Sequence, residues 1–236
     1  MKYLLLPETK DRSLAFYLAM EEYVARQVDE SDCFFMWQVK PSVIFGRHQV
    51  VENEVNVDYC RAHGISMYRR KSGGGCVYAD MDNLMLSYVS ADEHVNFAFN
   101  RFINMLLLVL RKMKIEATGT SHNDVLIGGY KVCGTACYHV GGKIIVHSTM
   151  LYDTNMEHRL NAITPSREKL QKKGIESVRQ RITLLKDHTT MSLDEIKVLI
   201  RKTLCTDERL LTASEVLDIE QLEQRYLDNE FVKILQ

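Results

Sequence analysis

A cationic, glycine-rich segment at residues 68–80 carries the residue types best suited to chemistry. Arginines at 69 and 70 and a lysine at 71 stand directly before Ser72 and three consecutive glycines at 73–75. Glycine has no Cβ atom, so the backbone there can turn sharply and approach a bound molecule closely. Backbone N–H groups beside fixed positive charge form a site for a carboxylate or a phosphate. The segment therefore indicates an anion-binding loop, against the simpler alternative of a glycine-rich hairpin on a basic surface.

A second group of candidates lies further along the chain. Lys131 falls within a β-rich run, and Asn123 and Asp124 precede it. Such a lysine would supply positive charge where negative charge develops in a transition state. Asp124 is a candidate Mg²⁺ ligand, because Mg²⁺ prefers carboxylate oxygens and usually bridges to substrate phosphates. The alternatives, a solvated edge lysine and a turn aspartate that caps its own backbone, stay open at this point.

Other familiar catalytic patterns are missing from the sequence. It has no GxSxG serine, no GxxxxGK[ST] loop and no GxGxxG fingerprint. No paired His or Cys spacing indicates zinc, and His147, in a β-rich run, is by itself more typical of a core than of a catalyst. These absences argue against common hydrolase, P-loop kinase and dinucleotide-binding designs. They favour a glycine-rich anion site with one strand lysine and one acidic residue.

The composition is that of an ordinary globular protein of 236 residues. Hydrophobic residues make up 46% and charged residues 26%, and the formal net charge is −1. A chain this close to neutral has no bulk field for nucleic acid, so anion binding must be local. Six cysteines without CxxC pairs, an N-terminal apolar run too short for a signal peptide and no run of membrane-spanning length predict a cytoplasmic protein with reduced thiols and no membrane partner.

The elements that must position these residues follow from apolar spacing. A helical pattern predicts an N-terminal helix over 11–28, with Asp11 or Ser13 at its start. A second helix over 52–63 would end at Gly64. The long apolar pattern at 95–114 predicts a helix across one sheet face. Strands are predicted at 33–39, 42–45, 65–69, 76–78 and 83–90, the first two joined by a turn.

The second half of the chain predicts an antiparallel meander followed by helices. β-rich runs at 123–127, 130–140 and 143–151 are separated by Gly-Gly pairs, which are good hairpin signals. Ser192 with Glu195, and Thr212 with Glu215, have capping-box spacing. Alternation in the middle strand would place Lys131, Cys133, Thr135 and Cys137 on one face and Val132, Gly134, Ala136 and Tyr138 on the other, unless a bulge at Gly134 shifts the parity.

Taken in order, these motifs resemble those of lipoate–protein ligases, in the lipoate/biotin protein ligase superfamily. The segment RRKSGGGCVYAD at 69–80, with Asn83 after it, is similar to the family motif RRxSGGGxVxxD…N. Further matching segments lie at 46–49, 54–56, 123–124, 131–136, 147–151 and 173–178. A triple glycine alone is a weak signal, whereas this ordered set is highly specific.

The resemblance implies a fold and a division of the chain. The fold would be an α/β (α+β) catalytic domain like that of class II synthetases, with a mixed, largely antiparallel sheet packed with helices. The catalytic domain would span 1–185, and 186–236 would form a short helical C-terminal segment. Many family members carry an accessory domain, sometimes as a separate chain, and this segment is too short for a full version.

The resemblance also implies a two-step reaction and its ligands. Lipoate and ATP–Mg²⁺ would give lipoyl-AMP and pyrophosphate. A lysine of a lipoyl-carrier domain would then attack the mixed anhydride and form an amide. The carriers would be the glycine cleavage H protein or the E2 subunits of 2-oxoacid dehydrogenases. The enzyme would be a monomer, working alone or with an accessory chain.

Each implied role falls on a position that matches a family motif. Lys131 would contact the acyl carbonyl and the phosphate, and Asn123 and Asp124 would lie by the phosphates and the metal. The residues that would bind lipoate or the adenylate are Arg70, Ser72, Gly73, Gly74, Gly75, Val77, Tyr78, Asn83, Gly134, Thr135, Ala136, His147 and Thr149. The chain departs from the common family pattern at Val50, Ala79, Cys133 and Ser148, so the choice between lipoate and octanoate stays open.

Two other functions stay open. An ATP-independent lipoyl or octanoyl acyltransferase of the same superfamily would use a cysteine thioester, and a thiolate at Cys133 beside Lys131 would have a lowered pKa. The retained RRxSGGG and Asn-Asp motifs favour the ligase over this alternative. The other is a non-catalytic sensor of lipoate or lipoyl-AMP, although the sequence has no basic N-terminal module for DNA.

Overall fold

The computed structural model describes residues 1–30, 32–91, 94–120, 124–164 and 182–228. Within these residues, eleven strands form two sheets. In chain order the strands are β1 (Lys2–Leu5), β2 (Asp32–Trp37), β3 (Ser42–Phe45), β4 (Ser66–Arg69), β5 (Val77–Ala79), β6 (Asn83–Ser90), β7 (Thr118–Gly119), β8 (Asp124–Ile127), β9 (Tyr130–Val140), β10 (Lys143–Leu151) and β11 (Asp207–Leu210). The larger sheet has the order β11-β1-β2-β6-β10-β9-β8-β7 and is antiparallel except at β11-β1 and β1-β2.

A separate three-stranded sheet holds the glycine-rich segment. Strand β3 lies at its centre, parallel to β4 and antiparallel to β5. Residues 70–76, here called the glycine-rich loop, connect β4 to β5. Both ends of this loop are therefore fixed by strands that hydrogen-bond to the same central strand. The sequence predicted the three strands, but their assembly into a sheet of their own depends on tertiary structure.

Helices cover both faces of the larger sheet. They are α1 (Leu14–Gln27), α2 (Val57–Ala62), α3 (Val95–Lys112), α4 (Met156–Ala162), α5 (Leu193–Leu204) and α6 (Ala213–Leu227). Helices α1 and α6 pack together over one face, while α3 and α5 contribute to the core on the other. Nowhere in the described ranges is a helix long and apolar enough to cross a membrane. The predicted fold class, a mixed and largely antiparallel sheet packed with helices, is confirmed.

Local signals predicted the start of α1 and of the two C-terminal helices well. Ser13 caps α1, and its Oγ accepts a hydrogen bond from the backbone N–H of Phe16 at 3.0 Å. Ser192 and Thr212 both form complete capping boxes, which open α5 and α6. These motifs are confirmed because a capping box satisfies orphan N–H groups through side chains only three residues apart.

The helix predicted over 52–63 is interrupted. A 3₁₀ turn at Val51–Asn53 precedes α2, and Asn56 caps α2 by accepting a hydrogen bond from the backbone N–H of Tyr59. An asparagine side chain that bonds to the backbone competes with a continuous helix, so the chain restarts there. Gly64 follows the helix with φ of 64°, in agreement with the prediction for its end.

Two parallel strands at one edge of the larger sheet were not predicted. Strand β11, with the sequence DERL, is mostly exposed and pairs with β1, which in turn pairs with β2. A polar edge strand has no apolar alternation, so only its partner makes it a strand. The matching segment at 173–178 lies outside the described residues, and the domain division at 185/186 stays a prediction.

Candidate active site

A cavity of about 250 Å³ opens between α1, the glycine-rich loop and strands β9 and β10. Eleven of the residues predicted for the site line it: Arg70, Gly74, Gly75, Val77, Asp124, Lys131, Gly134, Thr135, Ala136, His147 and Thr149. One part of the wall is apolar, with Leu18, Trp37 and Met85, whereas Lys131 and Asp124 supply charge. A cavity with an apolar part and a few polar groups suits a ligand that has an apolar body and a charged end.

Lys131 and Asp124 form the charged part of this wall. The lysine Nζ lies 2.7 Å from the Asp124 Oδ1, and the Asp124 side chain is buried. Gly134 stands opposite Asp124 in the β8–β9 register. A Cβ added to Gly134 would lie 2.6 Å from the Lys131 Cε and closer still to its Nζ. The space that holds the lysine head exists because residue 134 has no side chain.

A bulge in β9 decides which residues share the cavity with Lys131. Leu126 pairs with Lys131 while Val125 pairs with Cys133, so Val132 is the extra residue. Val132 and Cys133 both pack into the core beside α3. The predicted alternation, with Lys131 and Cys133 on one face, is therefore wrong. Because the bulge comes before Gly134, it brings Lys131 to the same cavity as that glycine.

Burial also changes the chemistry of Cys133. The side chain is fully buried, and burial raises the pKa of its thiol to about 11, against smaller lowering effects of Ser148 and Lys131. The prediction of a lowered pKa at Cys133 is wrong. A thiolate at this position would be a charge inside the apolar core, which is costly.

Arg70 holds the glycine-rich loop in its shape. Its Nε donates to the Ser72 Oγ at 2.9 Å, and its Nη2 donates to the carbonyl oxygens of Gly73 and Gly75, each at 2.7 Å. Its Nη1 donates to the Ile44 carbonyl at 3.1 Å. Burial lowers the pKa of Arg70 to about 10, so the side chain remains a cation near neutral pH. A planar guanidinium with several fixed donors is well suited to bridging carbonyls of a tight loop.

The other two cations of the segment also have protein partners. Arg69 Nη1 donates to the carbonyls of Arg47 and Gln49 at 3.0 and 2.9 Å, and Lys71 Nζ lies 2.5 Å from the buried Glu22. The sequence suggested three cations that serve an anion directly. In the structure, Arg69 and Lys71 bond to protein groups on the neighbouring 46–49 segment and on α1.

Gly46 allows the neighbouring segment to approach the glycine-rich loop. A Cβ added at Gly46 would overlap the carbonyl oxygen of Gly74, and the Arg47 backbone N–H donates to the Ser72 carbonyl at 3.0 Å. Gly74 itself has a φ of 92°, in the region that favours glycine. The 46–49 segment thus supports the loop through backbone contacts.

His147 connects the loop to α1 through buried hydrogen bonds. Its Nδ1 lies 2.9 Å from the Glu21 Oε2, and its Nε2 lies 2.7 Å from the Ser72 Oγ. Ser87 Oγ donates to the second carboxylate oxygen of Glu21 at 2.6 Å, and Trp37 Nε1 donates to Ser87 Oγ at 2.9 Å. When Nδ1–H donates to the Glu21 carboxylate, Nε2 is free of a proton and can accept a hydrogen bond from the Ser72 hydroxyl. This chain of contacts runs from the loop to the Trp37 wall of the cavity.

Several predicted site residues do not line the cavity. Ser72 is fully buried in the network just described, and Tyr78 packs in the core of the smaller sheet. Asn83 is buried, and its Nδ2 donates to the Thr154 Oγ1 at 3.0 Å. Gly73 presents its carbonyl to Arg70. Asn123 lies outside the described residues. Within those residues, no group of three or more His, Cys, Asp or Glu side chains could hold a metal ion.

Two groups of residues at the site were not predicted from the sequence. One is part of the cavity wall: Leu18, Trp37, Ile44, Cys76, Met85 and Ser148. The other is the pair Glu21 and Glu22 on α1, both fully or almost fully buried. A signal for the pair was present, since both follow Leu18 at i+3 and i+4 and so fall on the apolar stripe of α1. A carboxylate on a buried stripe needs partners, and here these include Lys71 of the glycine-rich loop and His147 of β10.

The fold and this site define a class of protein in which a glycine-rich loop faces a strand lysine across a small cavity. The catalytic-domain model of the lipoyl protein ligase A/B family matches residues 13–205. The chain therefore belongs to the lipoyl protein ligase A/B catalytic domain family.

Curated relatives agree with this assignment. Lipoate–protein ligase 1 of Staphylococcus aureus is 32% identical over 213 residues, which cover 87% of this chain and 65% of the relative. The lipoate–protein ligase LplJ of Bacillus subtilis is 34% identical over 167 residues, which cover 70% of this chain and 50% of the relative. The chain thus spans one half to two thirds of the length of these relatives.

Solved structures share the fold over nearly the whole chain. A bi-partite lipoate protein ligase of Thermoplasma acidophilum, studied with its E2 lipoyl domain, matches with a TM-score of 0.84 and 26% identity. The match covers 100% of this chain and 97% of that ligase chain. A Thermoplasma acidophilum protein with bound lipoic acid has a TM-score of 0.85 at 24% identity, with full coverage of both chains. A lipoate–protein ligase A bound with ATP has a TM-score of 0.82 at 24% identity, with 99% coverage of each.

Proposed function

We propose that this chain activates lipoate with ATP and transfers the lipoyl group to a lysine of a lipoyl-carrier domain. The observation that carries the proposal is the Lys131–Asp124 pair, which lies in the wall of a cavity that also has an apolar part. Support also comes from the family match and from the neighbours solved with lipoic acid and with ATP.

The apolar side of the cavity is suited to the acyl chain of lipoate. Leu18, Trp37 and Met85 would contact the chain and remove apolar surface from water. The lipoate carboxylate would then lie towards Lys131. In the first half-reaction a carboxylate oxygen attacks the α-phosphorus of ATP, and pyrophosphate leaves. The positive Nζ of Lys131 would stabilise the negative charge that develops on the phosphoryl oxygens.

The glycine-rich loop supplies the other side of the adenylate site. Gly74 and Gly75 line the cavity, and their backbone can approach a phosphate closely because they have no side chains. Arg70, the first residue of the loop, donates to the carbonyls of Gly73 and Gly75 and so keeps the loop backbone in one conformation. Binding of the adenylate within this cavity would limit hydrolysis of the mixed anhydride before the acceptor arrives.

A magnesium ion fits the polar part of the cavity. Asp124 offers a buried carboxylate there, and a Mg²⁺ site needs only one or two carboxylates when phosphates complete its coordination. We assign Asp124 to this ion, with Asn123 as its neighbour in sequence. When bound, the ion would offset the charge of the phosphates. Asp124 would also hold Lys131 in place through their 2.7 Å contact.

The second half-reaction needs a protein partner. The amine of a carrier lysine attacks the acyl carbonyl, an amide forms, and AMP leaves as the amine loses a proton. The carriers that we propose are the glycine cleavage H protein and E2 subunits of 2-oxoacid dehydrogenases, in the cytoplasm. A bi-partite relative studied with its E2 lipoyl domain supports the lipoyl-domain class. The proposal assigns this activity to a catalytic domain at 1–185 that is followed by a short segment at 186–236. The chain would work alone or with an accessory chain.

ATP–pyrophosphate exchange tests the first half-reaction. We expect the purified chain to exchange pyrophosphate into ATP only when lipoate and Mg²⁺ are both present. An apo-lipoyl domain should then gain the mass of one lipoyl group on one lysine. A folded chain that shows no exchange, alone or with an accessory chain, would contradict the proposal. Octanoate in place of lipoate measures the preference for the acyl group.

Replacing Cys133 by serine separates the ligase from the acyltransferase alternative. We expect Cys133→Ser to keep its exchange activity within about threefold, because the thiol is buried beside α3 and lies outside the cavity wall. A thioester route would lose all transfer in this variant. The acyltransferase would be favoured by a different result. In that case the wild type would show no exchange but would transfer the octanoyl group from octanoyl carrier protein without ATP, and Cys133→Ser would lose this transfer.

A further inference from the structure

The last turn of α6 contacts the cationic part of the glycine-rich loop. Tyr226 is almost fully buried, and its hydroxyl donates to the Glu22 Oε2 at 2.7 Å. The same carboxylate oxygen lies 2.5 Å from the Lys71 Nζ. The Lys71 Nζ also lies 4.8 Å from the centre of the Tyr226 ring. Three elements that are far apart in sequence therefore meet around one carboxylate.

Glu22 has reason to be a carboxylate at this position. Burial alone would raise its pKa, yet hydrogen bonds from Lys71, Tyr226 and Arg26 together lower the pKa below its ordinary value. Arg26 contributes through its Nε at 2.9 Å. A buried carboxylate with several donors is held tightly, and removing one donor leaves the charge less well compensated. The Glu22 carboxylate is therefore held in place, and its ion pair with Lys71 restricts the position of that lysine.

Glu21 and Glu22 act on consecutive residues of the loop. Glu21 contacts His147, which contacts Ser72, while Glu22 contacts Lys71 directly. Ser72 is also the residue to which Arg70 donates. The backbone from 71 to 72 is thus held from the α1 side at two successive positions. The adjacent glycines have no side chains, so their position depends on such anchors together with the Arg70 hydrogen bonds to their carbonyls.

We propose that Glu22 and Tyr226 are positioning residues for the glycine-rich loop, and that α6 thereby forms part of the active-site support. We call Lys71, Glu22 and Tyr226 the clasp. Within the clasp, Glu22 and Tyr226 hold Lys71, and Lys71 in turn holds the start of the loop against α1. Its kinetic consequence rests on the proposed function, whereas its effect on loop exposure does not.

Substitutions in the clasp test this proposal. Glu22→Gln removes the charge, and Tyr226→Phe removes only the hydroxyl while the ring over Lys71 remains. The matched control is Tyr23→Phe, because Tyr23 also joins α1 to α6, through a 3.4 Å contact to Asp218, but does not contact Lys71. Tyr226→Phe is the milder change and remains informative if Glu22→Gln unfolds. Circular dichroism and thermal unfolding establish that each variant is folded.

The first readout needs no substrate. Acetylation of Lys71 by a small amine-reactive ester, followed by mass spectrometry, should be several-fold faster in Tyr226→Phe and Glu22→Gln than in the wild type or Tyr23→Phe. Hydrogen exchange of a peptide covering 70–76 should also become faster. Labelling and exchange rates that stay at the wild-type values in both folded variants would overturn the clasp, whatever the activity of the protein.

The second readout is kinetic. We expect kcat/KM for ATP in pyrophosphate exchange to fall about tenfold in both clasp variants and to stay unchanged in Tyr23→Phe. The double variant Glu22→Gln with Lys71→Met should have a kcat/KM no lower than that of the more impaired of the two single variants, because Glu22 and Lys71 act as a unit. Faster labelling with unchanged kcat/KM would overturn the positioning role. If the wild type shows no exchange, the proposed function fails, while labelling and hydrogen exchange still decide the clasp.

Discussion

Replacing Lys131 by alanine or methionine is expected to reduce pyrophosphate exchange by about 10²- to 10³-fold. The reason is electrostatic, because the Lys131 Nζ is a fixed positive charge in the cavity wall, 2.7 Å from the buried Asp124 carboxylate. Binding of lipoate should be affected much less, because the apolar wall is unchanged. The measurement is steady-state exchange together with the Kd for lipoate from calorimetry.

Loss of exchange could also come from a less stable protein, and a second variant distinguishes the two causes. Lys131→Met leaves the Asp124 carboxylate buried without its lysine, which can cost about 3–5 kcal/mol. Lys131→Met combined with Asp124→Asn removes both charges and should recover most of the free energy of unfolding, without recovering exchange. Lys112→Ala, at the exposed end of α3, is the control for an unrelated lysine. Exchange within threefold of the wild type in folded Lys131→Met would contradict the proposed role.

The second large effect is expected at Gly134. Gly134→Ala should lower exchange by about 10²-fold, while the free energy of unfolding changes by less than about 1 kcal/mol. The added Cβ would meet the Lys131 Cε at 2.6 Å and its Nζ more closely still. The obstacle is the far end of a flexible side chain, which can move aside at small cost. The cost to catalysis is large because the Nζ is displaced within the cavity, even though it can stay close enough to Asp124 to keep the two charges paired.

Gly142→Ala gives the opposite pattern and serves as the control. Gly142 lies in the turn between β9 and β10 with φ of 78°, and a Cβ there would meet nothing within 4 Å. Alanine is strained at this φ, so the variant should lose about 1–2 kcal/mol of stability and keep its activity. Normal exchange in Gly134→Ala would show that the position of the Lys131 Nζ does not limit the reaction.

Local sequence determined much of the main framework. Capping at Ser13, Ser192 and Thr212 is set by side chains that reach backbone N–H groups three residues away, so the helix starts could be predicted. The Gly-Gly hairpins, with positive φ at Gly141 and Gly142, likewise depend on adjacent residues. Strand β11 could not be predicted, because its polar sequence becomes a strand only by pairing with β1.

The candidate site divides in the same way. The sequence singled out Arg70, the glycines, Lys131 and Asp124, because their residue types and order are visible without a fold. Only the tertiary structure decided that a bulge at Val132 turns Lys131 into the cavity and Cys133 into the core. A register shift changes the face of every later side chain, and no local signal fixes where it occurs.

What the sequence by itself determined is the chemistry available to this protein: a glycine-rich loop with cations before it, a strand lysine and a nearby carboxylate. What only the tertiary structure decided is how these groups are held. Arg70 bonds to the loop carbonyls, and the buried Glu21 and Glu22 reach the loop from α1. Buried charges need partners, and those partners come from segments distant in the chain, so the supports became visible only once the chain was folded.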